Sequence, residues 1–106
     1  MVVIISENGR ASLPMGNILA VKGEHNLREH RVIHPKFSGA RYSMVMKLPA
    51  GDTVTMEIFG GILTMTSQLT DMAGEVQLQF RAWEDGGSPD NVFMSEIFTA
   101  RILPAL

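Results

Sequence analysis

The sequence contains no cysteine, which excludes a disulfide framework, thiolate metal sites, a cysteine nucleophile and thioredoxin-type redox chemistry. The compartment stays open, because a chain without thiols is indifferent to redox poise. Aromatics make up only 7 % and charged residues 19 % of the 106 residues, with a formal net charge of −2. Those totals hold neither an acidic disordered tail nor a nucleic-acid-binding stripe. Long apolar runs are missing too. Nothing approaches the ~20 residues that cross a bilayer, and Met1-Val2-Val3-Ile4-Ile5 lacks a basic flank and stops at Ser6-Glu7-Asn8-Gly9. That opening reads as a first strand, not a signal peptide or a membrane segment. Nor does any stretch sustain the i, i+3, i+4, i+7 apolar spacing of a helix. With 45 % hydrophobic residues the chain is expected to form one domain over residues 1–106.

What is present is apolar spacing of two, the period of a half-buried strand. Val76, Leu78, Phe80 and Ala82 alternate with Glu75, Gln77, Gln79 and Arg81, which predicts one core face and one wet face. Tyr42, Met44, Met46 and Leu48 form a second row, and Val54, Met56 and Ile58 a third, joined by the turn types Pro49-Ala50-Gly51-Asp52. Gly60-Gly61 supplies the positive φ values of a type I′ turn and predicts a further hairpin into Ile62–Thr66. Strands are also expected at Val2–Ser6, Ile18–Lys22, Arg31–His34 and Phe93–Leu103, with a bulge one way to accommodate the adjacent Ile97 and Phe98. Eight or nine short strands broken about every ten residues predict an all-β antiparallel sandwich, with a small barrel as the alternative. Of the eight methionines, Met44, Met46, Met56 and Met65 fall on strand rows and read as adaptable core filler.

Candidate chemistry is sparse. His25, His30 and His34 are spaced H-x4-H-x3-H, but Arg31 stands where a zincin carries its catalytic glutamate. Val32-Ile33 and Pro35 favour an extended segment, so the histidines are read as surface or rim residues and no metal or cofactor is expected. Glu84-Asp85-Gly86-Gly87-Ser88-Pro89-Asp90-Asn91 offers oxygen ligands without the calcium-loop spacing and reads as a loop. No glycine cluster has a phosphate-cradling context and no serine a nucleophile elbow, so an enzyme is not expected.

Charge is unevenly placed. Between Lys22 and Lys47 six bases stand against two acids, a local balance of +4, and from Leu48 onward two arginines face eight acids, a balance of −6. The sharper reading is a polar molecule whose basic side, carried by Arg28, Arg31, Lys36, Phe37 and Arg41, docks on an identical neighbour or another assembly component. Nucleic acid is the weaker reading, since the whole chain is acidic. A carbohydrate- or cell-surface-binding module is the alternative from another class, with Trp83 and Tyr42 as its sugar platform.

Three pieces carry a resemblance: Val21-Lys22-Gly23-Glu24-His25-Asn26, then Gly61–Thr66 leading to Leu69-Thr70 and Ala73–Ala82, then Phe93–Phe98 through Ile102. From Leu19 to Leu103 their order resembles the N-terminal immunoglobulin-like domain of baseplate upper proteins and head- or tail-fibre proteins of phages of Gram-positive hosts. Glu24 stands where that group often has aspartate. The resemblance implies a non-enzymatic structural module, assembled in the host cytoplasm into a virion, that contacts other virion proteins and self-associates.

Overall fold

The computed structural model describes residues 1–84 and 92–106. Among these the chain is all-β. Its strands are β1 (Val2–Ile5), β2 (Ala11–Ser12), β3 (Ile18–Val21), β4 (Glu29–Ile33), β5 (Ala40–Lys47), β6 (Thr53–Glu57), β7 (Ile62–Thr64), β8 (Gly74–Glu84), β9 (Val92–Met94) and β10 (Phe98–Leu103). One sheet has the order β2-β1-β4-β7; the other runs β3-β10-β8-β5-β6, with β9 also paired to β8. Val3, Ile5, Val32 and Leu63 from the first sheet and Leu19, Met44, Met46, Val76, Leu78, Phe80, Ala82, Ala100 and Ile102 from the second share one core. No helix of the described residues is long and apolar enough to cross a membrane.

The expected antiparallel pairing holds for most neighbours, but β1 pairs β4 in parallel, and so does β10 with β3. Side-chain alternation is the same in both pairings, so periodicity carries no information on strand direction. Direction follows from the crossovers: between β1 and β4 the chain visits the other sheet through β3 and then returns.

β8 is the longest strand, and its row points as the alternation predicts: Val76, Leu78, Phe80 and Ala82 are buried. Along one edge it pairs with all eight residues of β5, from Ala40↔Glu84 to Lys47↔Gln77. At its start Gly74 has φ +142°, and a Cβ there would lie 3.0 Å from Pro49. The β5–β6 turn therefore packs on a position that only glycine fills without strain. That turn is the predicted one, closed by Leu48 N–H to Asp52 O (2.8 Å) and Gly51 N–H to Leu48 O (2.8 Å).

Three expectations need correction. The Gly60-Gly61 turn forms, with φ +57° and +75° and reciprocal bonds between Phe59 and Ile62 (3.2 and 2.9 Å). The hairpin stops at that single antiparallel bridge and does not extend to a β6–β7 pairing, because β6 and β7 belong to different sheets. Gly61 O accepts the Val32 N–H at 2.7 Å, so β4 captures the chain immediately after the turn. Second, Phe93–Leu103 is not one strand. Ser95 N–H donates to Phe80 O (3.0 Å) while Phe98 faces Leu78, which leaves one extra residue between them. This is a bulge, and it turns Ile97 outward to 62 % exposure. Ser95 Oγ stabilises it by accepting the Phe80 N–H (2.9 Å) and donating to Glu96 O (2.8 Å). Third, Gln79 is not simply a wet-face residue: its Nε2 donates to Ser95 O (3.0 Å) and so ties β8 to the bulge.

Substitutions along β8 therefore separate by role. Phe80→Ala removes a fully buried ring and should cost about 3–5 kcal/mol. Gln79→Ala should cost about 1 kcal/mol through its bond to the bulge, and the exposed Gln77→Ala should stay within about 0.5 kcal/mol. Urea midpoints measure all three; equal midpoints for Phe80→Ala and Gln77→Ala would contradict the register.

Candidate functional site

The end of the body where β4 passes into β5 carries the most distinctive surface. His34 follows β4 and, as the residue two beyond buried Val32, turns inward against Tyr42 and Phe80, with ring centroids 4.2 and 4.9 Å away. Phe37 in the same connection packs on Phe93 at 5.3 Å. The Tyr42 hydroxyl accepts the Phe37 N–H (2.9 Å) and donates to Phe37 O (3.2 Å), which pins the connection to β5. Five rings from four separate segments thus fix the backbone between β4 and β5.

Two clefts flank this cluster. One, of about 470 Å³, lies between Arg31, Ile33, His34, Lys36, Tyr42 and the Gly60-Gly61 turn. The other, of about 390 Å³, is lined by Phe37, Ala40, Trp83, Val92 and Phe93. In the first, two cations border an apolar floor of Val32, Ile58 and Ile62, the composition of a small docking groove. The sequence offered no signal for the contribution of Ile33, His34 or the glycine turn, because a β6–β7 turn meets β4 only through the change of sheet.

The five residues expected to dock do not form one patch. Arg31 and Lys36 are exposed on the first cleft, and Phe37, 42 % exposed, lines the second. Arg28 instead bonds Glu24 through Nε (2.8 Å) and an Nη (3.0 Å). Arg41 bonds Glu57 at 2.7 Å, joining the basic window of the sequence to the acidic one within a single molecule. Glu24 also accepts the Val21 N–H (2.7 Å), and its carbonyl accepts the Thr70 hydroxyl (2.7 Å). The carboxylate therefore holds the β3–β4 turn together, and the Arg28 hydrogen bond, followed by that of Val21, keeps its pKa below the usual value despite burial. Such part-exposed pairs contribute only ~0–1 kcal/mol each.

The histidines are dispersed. His25 Nδ1 accepts the Ser67 N–H (2.8 Å), while His34 stacks at the cleft. His30, expected at the surface or rim, is fully buried. The strand begins at Glu29, two residues earlier than expected, and its alternation places His30 beside Val32 on the core side. Its Nε2 donates to Leu19 O (2.6 Å), which leaves Nδ1 as a buried acceptor with no hydrogen-bond partner among the described residues. Among the described residues no group of three or more His, Asp or Glu could hold a metal. Of the oxygen-rich run Glu84–Asn91, residues 85–91 lie outside the described residues. Tyr42 and Trp83 do not form a joint platform. Tyr42 pairs with Ala82 and Arg41 with Trp83, so the two rings leave the sheet on opposite faces.

Compared with known families and with curated proteins, the chain matches no family model and no curated relative.

His30 makes stability depend on pH. Burial, reinforced by the N-terminal ammonium and Arg28, holds its pKa below the ordinary value against the smaller opposing effect of the Leu19 bond. The unfolded chain therefore binds the proton first. Stability is complete above the unfolded value of about 6.5 and declines as pH falls through it, by up to about 1.4 kcal/mol per unit, until the folded state also protonates. Urea midpoints at about pH 7.5 and 5.5 should diverge for the native chain and converge for His30→Met; the same pH dependence in both would contradict this assignment.

Proposed function

We propose that the chain is a non-enzymatic structural module of a phage or prophage virion, a baseplate, tail or head-fibre component that assembles with other virion proteins. In this reading the two sheets are an immunoglobulin-like β-sandwich, and the module is built into the particle in the host cytoplasm. The observation that carries the proposal is the groove beside the β4–β5 connection. Arg31 and Lys36 border an apolar floor there, and neither makes an ion pair with another described residue. An apolar centre with a charged rim suits an acidic protein surface, with the rim supplying orientation and the floor contact area. The resemblance of the order of sequence features from Leu19 to Leu103 to phage immunoglobulin-like domains supports the same reading. Glu24, which replaces the common aspartate, still serves as the clamp of the early polar turn.

The carbohydrate alternative loses its main support once Tyr42 and Trp83 stand on opposite faces. Binding to candidate virion proteins, followed by light scattering, separates the two. Arg31→Glu with Lys36→Glu should weaken association at least tenfold at low salt and less at high salt, because exposed charges are screened beyond ~10 Å at 0.1 M. The fold should be untouched, since both side chains are exposed. Unchanged association, or saturable polysaccharide binding by a chain that engages no structural protein, would overturn the proposal.

A further inference from the structure

We propose that the outer edge of β6 pairs with the same edge of a second copy, joining two six-stranded sheets into one. The inference goes beyond the proposed function and does not depend on it. β6 closes one side of its sheet. Ile58 N–H donates to Tyr42 O (2.9 Å) and Leu48 N–H to Asp52 O (2.8 Å), and both pairs continue the β5–β6 register. In an antiparallel ladder bonded pairs alternate, so Val54 and Met56 turn their backbone groups toward β5 while Thr53, Thr55 and Glu57 turn theirs outward. Those outward groups have no partner among the described residues. The edge also lacks the features that block pairing, because Thr53–Glu57 contains no proline, no lysine and no bulge.

The occupant follows from the sequence of the strand. A two-fold axis through Thr55 places Thr53 opposite Glu57 of the second copy and Val54 opposite Met56. The three outward residues of each copy then make about six backbone hydrogen bonds across the axis. No like charges face each other. Glu57 instead lies on the row that runs through the second copy's Thr53 to its Lys47, so the charges are complementary in this orientation. Val54 and Met56, which belong to the core-facing row but are only half buried, gain cover from each other. Phe59, 68 % exposed just past the strand, falls beside Gly51 of the second copy. An isologous contact of this kind closes at two copies.

Sedimentation equilibrium of the full chain, combined with residue-resolved amide hydrogen exchange, tests the inference without any virion partner. The expected result is a concentration-dependent dimer in which the amides of Thr53, Thr55 and Glu57 become protected, while those of Val54 and Met56 are protected at every concentration. Thr55→Pro removes an outward donor without touching the β5 ladder, a position where an edge strand accepts proline. It should weaken the dimer at least tenfold with the circular dichroism unchanged. A chain that stays monomeric to millimolar concentration overturns the inference, and so does a dimer in which the three outward amides exchange as fast as in dilute solution. Because the exchange readout needs no variant, the outcome stands even where Thr55→Pro does not fold. Failure here leaves the Arg31 and Lys36 groove untouched, and failure of that groove leaves this edge untouched.

Discussion

Strand β8 is hydrogen-bonded along both edges, and the larger sheet takes its register from it. β5 matches it over eight residue pairs on one side, while β10 and β9 share the other side with five and three pairs. Phe80 sits where these partners converge, opposite Met44 and beside the bulge at Ser95, with no exposed surface. A central strand fixes side-chain direction for its neighbours because slipping by one residue would move Val76, Leu78, Phe80 and Ala82 to water together. Each Å² of apolar surface so exposed costs ~25 cal/mol, and the row includes the fully buried Phe80 ring.

The one place where β8 tolerates a change of register is the position of Ser95, and the consequences reach the candidate site. The extra residue lets β9 stay paired near Arg81–Trp83 while β10 pairs nearer the start of the strand. Phe93 is thereby held against Phe80 and Phe37, with centroids 6.1 and 5.3 Å away, and the β4–β5 connection is anchored on a ring cluster. The ring cluster and the Tyr42 hydroxyl thus hold Phe37 in the connection that borders the groove through Lys36. The long-range charge asymmetry does less than its size in the sequence suggests, since Arg28 and Arg41 are occupied internally and surface pairs are weak.

Period-two alternation carried the β8 row and the Met44 and Met46 row, and turn residue types carried the two turns at 49–52 and 60–61, all features decided by local chemistry. Sheet membership was not legible: Gly60-Gly61 has the composition of a hairpin turn, but whether the next strand continues on β6 or joins β4 depends on a contact about thirty residues away in the chain. His30 was missed for a related reason. A histidine flanked by Glu29 and Arg31 looks wet until the strand is known to start early enough to include it, after which alternation alone buries it. Of the five candidate docking residues, Arg31, Lys36 and Phe37 reach the clefts. Arg28 and Arg41 do not, because the acids that occupy them come from a turn and from a neighbouring strand, positions that composition does not pair.

Native-state hydrogen exchange resolved by residue tests the role of β8 most directly. Its central amides, from Val76 to Ala82, should open only with global unfolding, and their exchange free energies should equal the stability measured by urea. The β2 and β7 edges of the other sheet should open at lower cost, in a separate step. Exchange of the Val76–Ala82 amides at a free energy well below the global value, with β1 and β4 remaining protected, would contradict the claim that β8 organises the fold.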